Sequence, residues 1–383
     1  GNLYPGLAFA FGLDGGMDFI ERSLAKNLLV INEENIIPAI FNKTMNLRIE
    51  STIILFPGFN INLNMLYEDN RRTEVKYMIE GVPKMRGGSF AMSTIMASSS
   101  FENSGPGNNY SSDAFDKFRE NREIIAERAR AEYANYPVDM SNKNSADILI
   151  PSFLSAYTGK DPGKIKLTAF PDITALLPNW SLSYNLLTTF PELADLLKSL
   201  NLNHRYVSQY RIGSYSSFLS WVALTGDEES RLGYVADPVT GKMLASSPFD
   251  ISSVSLMEAF NPLIEAQSVF NNDLSLSVRL NRTRSLNLNM TSLQIVELND
   301  NDVVLGVGYR VNSRFNARLD ISQKTTKALV RRIEDGFTQA TGGLSTATIR
   351  FSSDYALSKR LALRAYYDRI TYKPLVSATS FPT

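Results

Sequence analysis

Apolar and polar residues alternate along the chain between residues 271 and 309. Leu274, Leu276 and Val278 are separated by single polar residues, and the same rhythm resumes at Leu286. A period of two indicates β-strand, because successive side chains of a strand point to opposite faces. This stretch therefore predicts neighbouring strands that each have one apolar and one polar face.

We interpret the polar interruptions of this stretch as turns. Residues 282–284 and 299–302 carry charged, amide and hydroxyl side chains. Leu280 and Leu286 have the same parity, so a hairpin between them keeps both on one face only if its loop has an odd number of residues. The sequence therefore predicts short strands, two of them joined by a loop of three or five residues.

The pattern alone leaves two architectures open. In a soluble sandwich the apolar face of each strand turns inward against a second sheet. In an outer-membrane barrel the apolar face meets lipid and the polar face lines a wet lumen. The polar positions between residues 275 and 289 are mostly Ser, Asn and Arg, which suit water better than a second packed layer.

Two further features favour the barrel. A predicted hairpin from Thr44 to Tyr77 turns at Pro57 and Gly58, and each arm is about as long as the 9–11 residues of a strand that crosses a bilayer. Soluble strands usually have only about five or six residues. Aromatic residues also gather near predicted strand ends, as in the girdles of membrane barrels. These residues are Tyr67, Trp180, Tyr184, Tyr309, Tyr355, Tyr366, Tyr367 and Tyr372.

Shorter alternating segments predict the remaining strands, and the hydrophobic period changes among them. Ser112 to Tyr133 is highly charged, with apolar residues near helical spacing, and predicts an amphipathic helix. Residues 144–166 are apolar but rich in turn formers, and we interpret them as irregular. We therefore expect an all-β, antiparallel fold with a helix-containing insertion at about 104–170, holding one or two amphipathic helices. The other predicted strands cover 89–101, 180–186, 200–212, 251–257 (ended by a break at 260–263), 315–321, 347–351 and 361–367.

The composition excludes several classes of function. Lys plus Arg and Asp plus Glu both number 39, so the net charge of zero gives no electrostatic case for a nucleic-acid partner. The absence of Cys removes thiolate sites, and the single histidine, His204, lies in a strand-like run and is expected to be structural. The carboxylates of residues 227–229 fall in a predicted loop. We therefore expect no enzyme, no cofactor and no metal site.

No apolar run approaches the roughly 18 residues of a membrane helix, so a membrane-spanning form of this chain would be a barrel. In that form the alternation assigns candidate residues to both faces of the wall. The lumen-facing candidates are Arg279, Asn281, Asn287, Asn289, Arg318, Asp320, Arg350, Arg364 and Asp368. The lipid-facing candidates are Leu274, Leu276, Val278, Leu280, Leu286, Leu288, Leu361 and Leu363.

Six segments resemble, in the same order along the chain, the C-terminal region of one family. They are residues 114–122 (AFDKFRENR), 148–159 (ILIPSFLSAYTG), 177–184 (LPNWSLSY), 257–263 (MEAFNPL), 305–310 (LGVGYR) and 380–382 (SFP). On these segments the chain resembles the SprA/Sov family, the outer-membrane translocon of the type IX secretion system of Bacteroidota. Each segment is short, and it is their common order that makes the resemblance specific.

The resemblance implies a fold and a function beyond the residue pattern. Members of the family are giant single-chain barrels through which folded cargo proteins cross the outer membrane. A PorV-type shuttle protein covers a lateral opening in the wall, and a plug protein blocks the periplasmic end. By this resemblance residues 1–383 are the C-terminal portion of such a barrel, with the lipid bilayer, the shuttle, the plug and secreted cargo proteins as partners. The residue pattern keeps one alternative open, a surface-exposed β-rich binding protein such as an adhesin.

The chain departs from the family pattern in two places. Family members continue past the SFP segment into one more strand. They also usually have a longer connection between the strand that ends near Val311 and the strand that begins near Asn312. No turn signal separates these two strands in the sequence, so we expect further residues between Val311 and Asn312 in the complete protein.

Overall fold

The computed structural model of the chain describes most of its length. The described residues are 7, 17–28, 38–76, 84–102, 104–132, 143–218, 220–223, 233–236, 240–241, 243–312, 314–358 and 360–376. Three segments singled out in the sequence fall outside this range: the acidic loop at 227–229, the SFP segment at 380–382, and part of the helix-flanking region at 133–142.

Long antiparallel strands dominate, so the expected all-β, antiparallel class is confirmed. The described helices are α1 (Met17–Ala25), α2 (Asp113–Glu132), α3 (Ala146–Thr158) and α4 (Leu186–Thr189). The first nine strands are β1 (Ala39–Phe56), β2 (Phe59–Val75), β3 (Met85–Ser93), β4 (Asn179–Asn185), β5 (Leu197–Ser217), β6 (Trp221–Ala223), β7 (Gly233–Ala236), β8 (Met243–Ser246) and β9 (Phe249–Asp250). The last six are β10 (Ser253–Phe270), β11 (Leu274–Asn289), β12 (Gln294–Asn312), β13 (Phe315–Arg332), β14 (Thr338–Ser358) and β15 (Leu361–Pro374).

Twelve of these strands form one sheet. Its main path is β1-β2-β3-β5-β10-β11-β12-β13-β14-β15, while β4 pairs with β2 and β5, and β9 pairs with β5. From β10 to β15 each strand pairs with the next strand in the chain, as in a meander. β6, β7 and β8 form a separate three-stranded sheet. Within the described residues, β1 and β15 are the two edges of the large sheet.

β3 and β4 share one position in this sheet, one after the other. β2 pairs with β4 through residues 59–64 and with β3 through residues 67–74, and β5 also pairs with both. The chain leaves the sheet after Ser93 and returns at Asn179, whose Nδ2 donates to Ser93 Oγ at 3.3 Å. We call residues 94–178, which emerge from the middle of this strand position, the helical insertion. It encloses the region where the sequence predicted helices.

The strands are longer than the sequence predicted, and the turns expected inside them are wrong. Residues 282–284 lie within β11, and residues 299–302 lie within β12. Leu280 and Leu286 share a face because one continuous strand contains both, not because an odd-numbered loop joins two strands. These mid-strand segments can be polar because the folded chain supplies partners for them, as Glu297 does for Arg284.

The expected break at residues 260–263 is also wrong. β10 continues through this segment to Phe270, with a shift in its register against both neighbours between Phe260 and the residues that come after it. The segment is therefore an irregularity within one strand. His204 Nδ1 lies 2.6 Å from the carbonyl oxygen of Leu263 in this irregular segment, which agrees with a structural role for the histidine.

β12 and β13 pair up to residues 312 and 315. β12 continues to Asn312, which pairs with Phe315 of β13. Asn312 Oδ1 accepts hydrogen bonds from the backbone N–H groups of Arg314 (2.8 Å) and Phe315 (3.0 Å). An Asn side chain commonly stabilises a turn in this way. The expectation of further residues between Val311 and Asn312 in the complete protein stays a prediction.

Two predicted elements are confirmed, and one helix was missed. The hairpin around Pro57 and Gly58 is β1–β2, and the amphipathic helix is α2. Residues 146–158, expected to be irregular, form α3, in which every residue from Asp147 to Tyr157 is buried. A helix that is buried on all sides has no polar stripe, so its sequence shows no helical period.

The main core lies between the helical insertion and one face of the sheet. Phe115 and Phe118 of α2 and Phe153 of α3 are buried against apolar side chains of the strands, including Leu286 and Leu288. The insertion covers only part of that face. The turns 290–293 and 333–337 lie at the same end of the sheet as the insertion, because Arg119 of α2 donates to the carbonyl oxygens of residues 333 and 334. The short connections at 57–58 and 271–273, and a longer one at 186–196, lie at the opposite end.

Candidate functional site

The register of the sheet sorts its side chains into rows that cross many strands. One row consists of Leu276, Val307, Leu319, Phe351 and Tyr367, from β11 to β15. The next residue of each strand points to the opposite face. That row consists of Ser277, Gly306, Asp320, Arg350 and Asp368. One face is thus apolar and the other polar at the same level of the sheet.

We call the exposed part of the apolar face the belt. Its large side chains remain accessible: Val278 is 42% exposed, Leu305 45% and Ile321 43%. The belt continues to both edges of the sheet, with Ile53 on β1 and Leu363 on β15. Soluble monomers rarely expose contiguous apolar patches larger than a few hundred Å². A belt that reaches both edges of the sheet therefore requires an apolar surrounding or a covering partner.

The polar face at the same level carries ion pairs and hydrogen bonds. Arg279 Nε donates to Glu265 Oε1 at 2.6 Å, and Arg318 Nε donates to Asp320 Oδ2 at 2.7 Å. Arg364 donates to Asp354, on neighbouring strands. The Arg318–Asp320 and Arg364–Asp354 pairs are largely exposed and contribute little to stability, so they indicate a solvated surface, whereas the side chain of Glu265 is buried.

The two predicted sets of site residues lie on opposite faces of the sheet. The nine lumen-facing candidates share the polar face. The eight lipid-facing candidates share the opposite face, but Leu286 and Leu288 are fully buried beneath the helical insertion. These two are therefore removed from the lipid-facing set, since protein already covers them. The sequence-based set also left out exposed belt residues of β12 and β13, among them Leu305 and Ile321.

The belt ends at one level across neighbouring strands. Leu280 and Val303 are its last apolar pair on β11 and β12. The next rows on the same face are polar. They are Arg282, Asn301 and Thr325, and then Arg284, Asn299 and Lys327. Beyond them the insertion covers the sheet.

A buried ionic cluster fixes the insertion at this level. Glu297 Oε1 accepts from Arg284 Nε at 2.9 Å, and Glu297 Oε2 accepts from Arg331 Nε at 2.8 Å; all three side chains are at most 3% exposed. Both guanidinium groups also donate to the insertion: Arg284 to Ser99 O and Arg331 to Tyr110 O, each at 2.7 Å. The cluster therefore joins strands β11, β12 and β13 to the insertion, because the carboxylate of Glu297 holds two arginines that bind the insertion backbone.

A second buried anchor lies on the neighbouring strands β10 and β5. Glu258 Oε1 accepts hydrogen bonds from Ser100 Oγ at 2.6 Å and from Tyr206 Oη at 2.7 Å. The same tyrosine oxygen accepts the backbone N–H of Met96 at 2.8 Å. Together with the ionic cluster, this anchor holds the segment 96–100 against the sheet at two points.

Asp147, at the start of α3, is the strongly perturbed carboxylic acid of the insertion. Burial raises its pKa to about 7, opposed by a hydrogen bond from Ser247. Asp147 Oδ2 and the nearby Ser145 Oγ have no hydrogen-bond partner within the described residues. A buried carboxyl group without a cation favours its neutral form, because burial penalises charge.

The segments that carry the family resemblance form much of the contact between the insertion and the sheet. Phe115 and Phe118 of the AFDKFRENR segment are buried in the core, and Asn121 Nδ2 donates to Ser155 Oγ of α3 at 2.7 Å. The ILIPSFLSAYTG segment is α3 and its C-terminal end. Trp180 of the LPNWSLSY segment stacks on Tyr206 with ring centroids 4.3 Å apart. These segments therefore stabilise the packing of the insertion and of strands β4 and β5.

Comparison with known proteins adds no relative: no family model matches the chain, and a search of curated proteins finds no significant match. Within the described part of the chain, no group of three or more His, Cys, Asp or Glu side chains could hold a metal ion. None of the described helices is both long and apolar enough to cross a membrane. The features that remain to be explained are the belt and the polar face.

Proposed function

We propose that this chain forms part of the wall of an outer-membrane β-barrel. The observation that carries the proposal is the belt, which runs in register across the strands and lies directly behind a polar, ion-paired face. Such a wall turns its apolar band to lipid and its polar face to a wet lumen. From Val303 to Val311 the belt covers nine residues of β12, within the 9–11 residues that a tilted strand needs to cross a bilayer.

We also propose that the wall is part of a closed barrel. The ten strand positions along the main path of the sheet, at about 4.8 Å each, give a wall only about 45 Å wide. β1 and β15 each leave one row of backbone groups unpaired within the described sheet. In lipid such edges must pair, because unpaired backbone groups are costly there. Closure therefore requires these edges to pair with each other or with further strands.

The transport function rests on the resemblance to the SprA/Sov family. We propose that the wall belongs to a protein-conducting channel of the type IX secretion system in the bacterial outer membrane. Folded cargo would pass along the polar face without a chemical step in this chain. A PorV-type shuttle barrel and a plug protein are the partners that the resemblance supplies. The mixed charges of the polar face support passage of varied cargo, because no single sign of charge dominates it.

Cysteine labelling tests the orientation of the wall. Single cysteines replace Leu276, Val307, Ser277 or Leu286 in the complete protein, in a background without other cysteines, and each is exposed to a water-soluble maleimide and a lipid-phase probe. We expect Leu276→Cys and Val307→Cys to react with the lipid-phase probe and Ser277→Cys with the aqueous one. Leu286→Cys should react with neither, because the insertion covers it.

The result that would overturn the proposal is equally specific. If Leu276→Cys and Val307→Cys resist both probes, the belt is a packed interface. The chain would then be a β-rich binding protein such as an adhesin, and it would be extracted from cells without detergent. If Leu276→Cys and Val307→Cys react mainly with the aqueous probe, the belt faces water, and the membrane wall is likewise excluded.

A further inference from the structure

A cavity lies where the belt meets the helical insertion. It has a volume of about 140 Å³ and is lined by polar side chains of β11, β12 and β13 together with residues of the insertion. Arg282, Asn301 and Thr325 form one cross-strand row of its floor, directly after the last apolar pair of the belt. Lys327 belongs to the next row. We call this cavity the boundary pocket.

Positive charge exceeds negative charge around the boundary pocket. Its lining contains four cationic side chains, Arg282, Arg284, Lys327 and Arg331, and two carboxylates, Glu102 and Glu297. The buried Glu258 lies opposite Arg284 in the register and reduces the excess without removing it. The pocket therefore carries a net positive charge in a partly desolvated place.

Both carboxylates of the pocket already bind protein groups, whereas the cations of Arg282 and Lys327 keep free donors. Glu297 binds Arg284 and Arg331, and Glu102 accepts hydrogen bonds from Ser112 Oγ and from the backbone N–H of Ala114 at the start of α2. The guanidinium group of Arg282 has neither a hydrogen-bond nor an ion-pair partner among the described residues. Lys327 Nζ makes one hydrogen bond, to Ser104 O at 3.3 Å, which leaves two of its three donors available.

An aromatic side chain stands beside the uncommitted arginine. The Arg282 guanidinium carbon lies 5.0 Å from the centroid of the Phe101 ring, and Phe101 is 57% exposed. Aromatic side chains are enriched where a membrane protein passes from the hydrocarbon to the headgroup region. A cation and an exposed aromatic ring at the end of an apolar belt are therefore the side chains expected at the depth of the lipid headgroups.

We propose that the boundary pocket binds the phosphate of an anionic membrane lipid, with the acyl chains lying on the belt. The proposal rests on the proposed function, since it requires the belt to face lipid. Arg282 and Lys327 supply charge-assisted donors, and Asn301 and Thr325 add neutral donors on the same floor. A lipid fits better than a free phosphate ion, because the apolar pair Leu280 and Val303 directly borders the pocket on the side of the belt.

Lipid binding to matched variants tests this site. The complete protein, purified in detergent, is titrated with dioleoyl phosphatidic acid, and bound lipid is counted by native mass spectrometry. We expect Arg282→Gln and Lys327→Gln each to weaken binding about tenfold, the effect of losing one charge-assisted hydrogen bond. Arg205→Gln is the matched control: Arg205 is an exposed arginine of β5 at nearly the same level on the opposite face, and binding should not change.

Two further arms separate the sources of the phosphate. Dioleoylglycerol has the same acyl chains without the phosphate, and its binding should not depend on Arg282. Inorganic phosphate, added at the same concentration as the lipid, should not displace phosphatidic acid. If inorganic phosphate competes equally well, the pocket is a site for free anions and the lipid assignment is wrong.

Failure of this proposal can be distinguished from failure of the proposed function. Unchanged phosphatidic acid binding by Arg282→Gln and Lys327→Gln, in variants that keep the heat-modified gel mobility of the native barrel, overturns the pocket. If Leu276→Cys still reacts with the lipid-phase probe in that case, the membrane wall stands without the pocket. If Leu276→Cys does not react with it, both proposals fail together.

Discussion

At the scale of single residues, Asp147 shows how burial couples one side chain to pH. Burial raises its pKa from 3.8 to about 7, so the folded insertion holds a proton that the unfolded chain releases near pH 4. The unfolded state then binds fewer protons than the native state between about pH 4 and 7. The free energy of unfolding of the insertion is therefore highest below about pH 4, falls as the pH rises to about 7, and stays low above it.

The variant Asp147→Asn is expected to remove this pH dependence. A neutral amide of similar size cannot ionise, so the insertion should gain roughly 2–4 kcal/mol of stability at pH 8 relative to the native chain, and much less at pH 5. Hydrogen exchange of the α3 amides, corrected for the intrinsic exchange rate at each pH, measures this. Glu120→Gln, an exposed change on α2, should leave the pH dependence intact. An unchanged pH profile in Asp147→Asn would assign the effect to another group.

The sequence predicted the face of each site residue but not its surroundings. Parity along a strand places Leu276 and Leu286 on one face, and the register confirms this. Only the insertion, which arrives from residues more than 100 positions earlier in the chain, leaves Leu276 exposed and buries Leu286. In the same way, the sequence predicts Arg284 to lie in a turn. The structure instead places it within a strand, where it binds Glu297 and the carbonyl oxygen of Ser99.

At the scale of elements, the fit between β2, β3 and β5 depends on a glycine. A Cβ at Gly88 would lie 1.9 Å from Asn70 O and 2.9 Å from Tyr215 Oη, so only glycine allows these strands to approach as they do. Gly213, on the neighbouring strand β5, has no atom within 4 Å of an added Cβ. The two positions form a matched pair of strand glycines.

We expect Gly88→Ala to lower the free energy of unfolding by about 1–3 kcal/mol, the usual cost of overpacking. Gly213→Ala should be neutral or slightly stabilising, because alanine restricts the unfolded chain. Urea unfolding of both variants, with hydrogen exchange to locate the change, provides the measurement. Equal stability of the two variants would contradict the close approach of β2 and β3 at Gly88.

Element type was easier to predict than element length. The period of two predicted the long strands, because it reports a local property of the backbone, but the strand predicted at 89–101 is wrong beyond Ser93, where the chain leaves the sheet. The lengths of β11 and β12 were underestimated at residues 282–284 and 299–302. Polar residues in the middle of a strand suggest a turn unless their partners across the sheet are known. Helix α3 was missed for the related reason that burial on all sides removes the amphipathic period.

At the scale of the whole molecule, the two ends of the sheet differ. One end has short connections such as 57–58 and 271–273, and the other carries the helical insertion. Bacterial outer-membrane barrels have short periplasmic turns and longer extracellular loops. We therefore expect the insertion to lie on the cell surface and the short turns to lie in the periplasm.

Labelling of intact cells checks this orientation. Gly107→Cys, at an exposed position of the insertion where an added Cβ meets no atom within 4 Å, should react with a membrane-impermeant maleimide. Arg314→Cys, in a short turn, should react only after the outer membrane is made permeable. The reverse result would place the insertion in the periplasm while leaving the wall itself in the membrane.

The sequence by itself determined the antiparallel β class, the two-faced character of the strands and the position of α2, because these depend on local periodicity. It also determined which residues share a face, since parity is preserved along a continuous strand. Only the tertiary structure decided where the belt ends, which apolar residues the insertion covers, and how Glu297 neutralises two buried arginines. Those features arise from contacts between distant parts of the chain, and no local pattern encodes them.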